Sequence, residues 1–234
     1  SVAGGDTASA LAAGCSVIVK GHSAHPGTSE IVAQAIAAAI DACHMPKGVF
    51  ALIQGGSRDV GEALVQHPLI NAVGFTGSLG GGRALFDLCA ARPTPIPFFG
   101  ELGSINPVFV LPAAAKARAV DIAAGWAGSL TMGAGQFCTN PGVVFIDESV
   151  ADTFTASASE ALTAMGKQAM LTDGIAEAYR QSIAQVQQID NLREVVGTNC
   201  AGREALPYLF DTTFETWSAE PNLAEEVFGP VGIV

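Results

Sequence analysis

The chain has 234 residues, 49% of them hydrophobic and only 14% charged, with a formal net charge of -11 at pH 7. Its length suits one large domain or two small ones, and its acidity argues against a nucleic-acid surface, which needs clustered Lys and Arg. No apolar run reaches the ~18–20 residues of a membrane helix, and the opening "SVAGGDTASALAAG" lacks the basic start of a signal peptide. In chain order, "TASALAAG" reads as an alanine-rich helix stopped at Gly14. "SVIVK" is a short β-branched strand, "GHSAHPGTS" a loop and "SEIVAQAIAAAIDAC" a helix. "GVFALIQG" is a second strand, "DVGEALVQHP" a short helix, "INAVGFTG" a third strand and "GGRALFDLCAA" another helix. Alternation of this kind predicts an α/β fold with a parallel sheet.

"ARPTPIPFFGELGS" interrupts the rhythm, since Pro93, Pro95 and Pro97 favour extended chain. It reads as a crossing between a domain over 1–100 and a domain over 101–234. Beyond it, "NPVFVLP" and "GVVFIDES" are strands and "AKARAVDIAAGWAGSLTM" is a helix. "VADTFTASASEALTAMG" is a helix capped by Gly166, the region 170–200 is helical and polar, and "AEPNLAEEVFGPVGIV" runs from loop into strand. The pattern starts and stops within alternating elements, so the chain is expected to be the central part of a longer protein.

The five cysteines, Cys15, Cys43, Cys89, Cys138 and Cys200, form no C-x-x-C pair and no ligand spacing with histidine. A reducing cytoplasm is therefore expected, with no metal site. Cys138 is distinctive. It sits in "TMGAGQFCTNPG", among Gly133, Gly135, Pro141 and Gly142, whereas Cys15, Cys43 and Cys89 fall in helix or strand settings. A buried structural cysteine does not need such neighbours, and a nucleophile held on a turn does.

Three other stretches hold candidate chemistry, each with a plainer alternative. In "VGFTGS" a strand reaches Gly77 and Ser78 just before a helix, which is either a simple turn or a phosphate site on a helix N-terminus. No G-x-G-x-x-G fingerprint is present. Glu101 in "GELGS" is either a satisfied acid between domains or a general base. Glu225 and Glu226 in "EEVFGPV" read locally as a solvated turn.

Taken jointly and in this order, "VGFTGS", "GELGS", "GQFC" and "EEVFGPV" resemble the aldehyde dehydrogenase superfamily along essentially the whole chain. The wording of "PIPFFGELGSINPVF" and "GQFCTNPG" is most similar to its α-ketoglutaric semialdehyde dehydrogenase branch. The resemblance implies an NAD(P)-binding domain followed by a catalytic thiol domain. It implies Cys138 as nucleophile, with its backbone N–H as one oxyanion donor, and Glu101 as the base that activates the hydrolytic water. It also implies that Lys20 holds the adenosine ribose, that Gly77 and Ser78 approach the pyrophosphate, that Thr76 lies beside the nicotinamide, and that Glu226 and Phe228 position the nicotinamide ribose and ring.

Two departures from the family pattern matter. Ser23 stands where NAD-preferring relatives commonly carry a glutamate, and Arg58 lies where a cation would pair with a 2′-phosphate, so NADP is expected ahead of NAD. The alternative for Arg58 is a surface loop residue. The family's asparagine oxyanion donor and its C-terminal oligomerisation elements have no counterpart here. The expected full-length protein is thus a homo-oligomeric oxidoreductase acting on a small aldehyde, with this chain inactive by itself. The rival readings are a non-catalytic fragment that retains the fold and weak cofactor binding, and a thiol hydrolase without cofactor, which would leave Lys20, Ser78 and Glu226 without a purpose.

Overall fold

A computed structural model describes residues 2–234, which divide into two compact units, residues 2–102 and Gly103–Val234. The first unit alternates as the sequence suggests. Its elements are α1 (Gly5–Ala12), β1 (Val17–Lys20), α2 (Pro26–Ala42), β2 (Phe50–Ile53), α3 (Arg58–Gln66), β3 (Val73–Thr76), α4 (Leu79–Ala90) and β4 (Phe98–Glu101). β1 pairs with β2 and β3 with β4, both in parallel. α2 begins at Pro26, ahead of the predicted start, because proline's fixed φ and missing N–H suit the first helical turn.

The proline-rich crossing is the main surprise of this unit. Its last residues, Phe98–Glu101, form a strand rather than a linker. The prolines precede the ladder, so Val73 N–H donates to the Pro97 carbonyl at 3.0 Å and no donor is lost within the pairing. Glu101, expected at the head of the second domain, instead closes β4 opposite Thr76.

The second unit contains β5 (Pro107–Val110), α5 (Pro112–Thr131), β6 (Val143–Ile146), α6 (Glu148–Thr163), β7 (Gln168–Ala169), α7 (Asp173–Val186), β8 (Arg193–Val196), β9 (Glu204–Ala205), β10 (Tyr208–Asp211), α8 (Phe214–Ala219) and β11 (Val231–Ile233). Five strands form one sheet in the order β5-β6-β11-β10-β8, parallel except for β8, which runs antiparallel to β10. β7 and β9 pair separately.

Both faces of this sheet are covered. Val144 and Leu209 pack beneath α5 and α6 with Trp126, Leu130, Phe154 and Leu162. Their chain neighbours Val143, Tyr208 and Phe210 point the other way, toward Tyr179, Ile183 and Val186 of α7. That is the period-two alternation of a strand with two buried faces. Two expectations need correction. Gly166 does not cap α6, whose C-cap is Ala164, so the helix ends without a left-handed residue. The region 170–200 is not uniformly helical, because the chain leaves α7 and forms the strand β8. No helix among the described residues is long and apolar enough to cross a membrane.

Candidate functional site

In the first unit the candidate residues gather at the carboxyl ends of the parallel strands, where open α/β sheets place ligands. Lys20 is the last residue of β1, in register with Ile53 of β2. The loop that follows is tied to β2 by the Gly21 N–H, which donates to the Ile53 carbonyl at 2.8 Å. Ser23 in that loop is exposed and lies beside Gly56 of the neighbouring loop, where an added Cβ would sit 3.9 Å from the Ser23 Cβ. Arg58 is exposed in the first turn of α3. Two cations and a hydroxyl thus border the ends of β1 and β2.

A second group lies at the ends of β3 and β4. Thr76 faces Glu101 across the ladder, and both side chains are exposed. The Gly77 N–H continues this ladder by donating to the Glu101 carbonyl at 3.1 Å, so it is not free for a phosphate. Ser78 is the N-cap of α4, its Oγ accepting from the Gly81 N–H at 3.2 Å. By helix geometry, the Leu79 and Gly80 N–H groups remain as first-turn donors. The glycine cluster is not all ligand approach: a Cβ on Gly82 would lie 2.1 Å from Leu102 Cδ2, so the Leu102 side chain packs against that glycine.

In the second unit, Cys138 is exposed on a turn in which the Asn140 N–H donates to the Phe137 carbonyl at 3.0 Å. Exposure by itself does not single it out. Cys15 and Cys43 are exposed too, at the ends of α1 and α2 rather than within them, which corrects the expected contrast. What distinguishes Cys138 is the fixed backbone around it. Gly133, Ala134 and Gly135 have φ of 58°, 57° and 66°, a left-handed turn leading into the cysteine. The Ala134 N–H donates to Gln168 Oε1 at 2.7 Å. Gln136 bridges outward, its Nε2 donating to the Gly133 carbonyl at 2.9 Å and its Oε1 accepting from the Leu171 N–H at 2.9 Å.

Two asparagines that the sequence reading passed over complete the frame. Asn106 Nδ2 donates to the carbonyls of Cys138 at 2.6 Å and Asn140 at 3.0 Å. Asn140 Nδ2 donates to the carbonyls of Gly135 at 2.8 Å and Gly229 at 2.9 Å. The last contact docks the "EEVFGPV" segment on the cysteine loop. The same two segments also approach backbone to backbone, since a Cβ on Gly135 would lie 2.3 Å from the Gly229 carbonyl carbon. Phe137, Asn140, Ser104, Glu226 and Phe228 line one small cleft, with Cys138 itself outside the lining. Burial pushes the Glu226 carboxyl up from its ordinary range, and the Ser104 backbone N–H opposes this. "EEVFGPV" is therefore not a freely solvated turn. No cluster of three or more potential metal ligands occurs among the described residues.

Parallel βα units in the first half and an exposed thiol on a braced turn in the second define an α/β protein with a presented cysteine. The aldehyde dehydrogenase family model matches residues 1–234, and the chain belongs to that family. It is 50% identical over 240 residues to "Alpha-ketoglutaric semialdehyde dehydrogenase 2" of Azospirillum brasilense, covering 100% of this chain and 45% of the relative. It is 45% identical over 244 residues to "Alpha-ketoglutaric semialdehyde dehydrogenase" of Acinetobacter baylyi, with the same coverage of each. The chain thus spans about 45% of the length of these curated relatives. Among solved structures, an NAD-dependent benzaldehyde dehydrogenase of Corynebacterium glutamicum superposes with a TM-score of 0.80 at 25% identity, over 97% of this chain and 50% of that one. A bifunctional proline utilization A protein gives 0.80 at 27% identity, over 98% of this chain and 23% of that one.

Proposed function

We propose that this chain carries the thiol and much of the cofactor-binding surface of an NAD(P)-dependent aldehyde dehydrogenase that oxidises a semialdehyde of the α-ketoglutaric type to the acid. The observation that carries this reading is the presentation of Cys138, exposed on a turn whose backbone is held from both sides by asparagine amides. The names of the two curated relatives support the substrate class.

The donor set at the ends of β1 and β2 fits a phosphorylated ribose. Lys20 would hold the adenosine ribose, and Ser23 with Arg58 would accept a 2′-phosphate without the repulsion a carboxylate brings. This favours NADP, with NAD as the alternative. Ser78 and the first turn of α4 would face the pyrophosphate with Gly77 beside it, Thr76 the nicotinamide, and Glu226 and Phe228 its ribose and ring. NAD(P), when bound, supplies the hydride acceptor that turns a thiohemiacetal into a thioester.

The chain's own residues do the rest. The Cys138 thiolate attacks the aldehyde carbon, a C–S bond forms, and the carbonyl electron pair moves to oxygen, where the Cys138 N–H stabilises it. After oxidation, Glu101 takes a proton from water, and the hydroxide oxygen adds to the thioester carbon. Collapse returns the Cys138 thiolate and releases the carboxylic acid. The five unpaired cysteines favour a reducing cytoplasm, and the full-length enzyme is read as a homo-oligomer.

Stopped-flow kinetics test the division of labour. In the full-length enzyme, Glu101→Gln should give a burst of reduced cofactor followed by slow turnover. Loss of the burst without a separate slow phase would place Glu101 at the thiol step and refute its assignment to hydrolysis.

A further inference from the structure

We propose that Asn106 is a positioning residue that aims the backbone N–H of Cys138 at the oxygen of an acyl group being transferred to the thiol. The inference rests on the reading of Cys138 as nucleophile and goes one residue beyond it.

The geometry is a chain of fixed peptide planes. The described residues include no cis peptide, so the Cys138 N–H points opposite to the Phe137 carbonyl of the same plane. That carbonyl is held inside the turn by the Asn140 N–H at 3.0 Å, which turns the Cys138 N–H to the outside. Asn106 Nδ2 then fixes two further carbonyls, those of Cys138 and Asn140 on either side of Thr139, at 2.6 and 3.0 Å. The planes on both sides of Thr139 thus cannot rotate without breaking one of these bonds. The amide is itself oriented. Ser104 Oγ donates to Asn106 Oδ1 at 3.0 Å, so the amide nitrogen faces the two carbonyls. Asn106 adopts φ 47°, a left-handed conformation that asparagine tolerates better than most residues. Its side chain reaches 32 positions along the chain to Cys138. Nothing else in the second unit braces the Cys138 carbonyl.

Acylation and alkylation separate this role from general support. With p-nitrophenyl acetate, the Cys138 thiolate attacks the ester carbon, the carbonyl pair moves to oxygen, and collapse expels p-nitrophenolate and leaves an S-acetyl group. That path passes through an oxyanion and needs the N–H. Iodoacetamide instead transfers its CH2 carbon to sulfur with loss of iodide, and no oxyanion forms. The two reactions are followed on the full-length enzyme, with peptide mapping to read modification at Cys138. Asn106→Gly keeps the left-handed backbone and removes the amide. Asn106→Asp keeps the size and sets a carboxylate against two carbonyls, and it carries the same test if the glycine variant does not fold.

Loss of a whole oxyanion donor costs about 10²–10³ in rate, so a misdirected donor is expected to slow acetylation of Cys138 by about tenfold or more. Alkylation is expected to stay within about twofold. Equal slowing of both reactions would mean that Asn106 only supports the loop, and unchanged acetylation would mean that it does not aim the N–H; either overturns the proposal. Absence of acetylation at Cys138 in the unsubstituted full-length enzyme would overturn the nucleophile reading itself, and it is distinguishable because it needs no variant.

Discussion

Gly135→Ala should unlatch the cysteine loop from the segment that carries Glu226 and Phe228. The substituted methyl would meet the Gly229 carbonyl carbon and oxygen and the Pro230 nitrogen at 2.3 to 2.4 Å, all of them backbone atoms that cannot swing aside. Gly135 also has φ +66°, and a left-handed non-glycine residue costs about 1–2 kcal/mol. Overpacking against fixed atoms adds about 1–3 kcal/mol. Gly202→Ala isolates the first contribution: it has φ +60° and nothing within 4 Å of the added carbon, and it lies in the same unit. Gly135→Ala should therefore lose roughly 2 kcal/mol more than Gly202→Ala, the middle of that overpacking range. At a urea slope of about 1–3 kcal/mol per molar, this lowers the midpoint by roughly a further 1 M. The assay is urea unfolding followed by tryptophan fluorescence. Both tryptophans, Trp126 and Trp217, belong to the second unit, and Trp126 Nε1 donates to the Pro141 carbonyl of the cysteine loop at 2.7 Å. Equal midpoints for the two variants would refute the backbone contact between Gly135 and Gly229.

Two further outcomes are expected. Burial raises the Glu226 pKa, so between the unfolded and folded values the native state binds the proton more tightly, and stability falls as pH rises through that window. Glu226→Gln removes this loss: its urea midpoint should exceed that of the unsubstituted chain at pH 7, with the gap closing at pH 4, and a gap independent of pH would refute the burial argument. Arg58→Ala in the full-length enzyme should weaken NADP binding by about tenfold to a hundredfold, since a charge-assisted contact contributes about 1.5–3 kcal/mol. NAD affinity, measured by calorimetry beside it, should change little, and equal losses would make Arg58 structural.

Much of this molecule is legible in one dimension. Strands such as Val17–Lys20 and Val73–Thr76 are short apolar or β-branched runs, and helices such as Leu79–Ala90 are bounded by a serine N-cap and a following turn. Local chemistry specifies such elements, because capping, β-branching and hydrophobic period act within a few residues. The motif order also carries the family assignment, and the glycines around Cys138 set that cysteine apart from the other four. Other features depend on partners distant in sequence. Phe98–Glu101 looks like linker because its prolines signal extended chain equally well in a loop and at a strand start, and only pairing with Val73–Thr76 decides. Arg193–Val196 and Tyr208–Asp211 become strands by pairing with each other and with Val231–Ile233. The frame of Cys138 is the clearest case. Asn106 and Asn140 look like ordinary turn residues in the sequence, and their roles come from hydrogen bonds spanning 32 and 89 positions. Sequence determines which residues can adopt a turn, whereas the meeting of distant carbonyls with one amide is created only when the sheet brings those segments together.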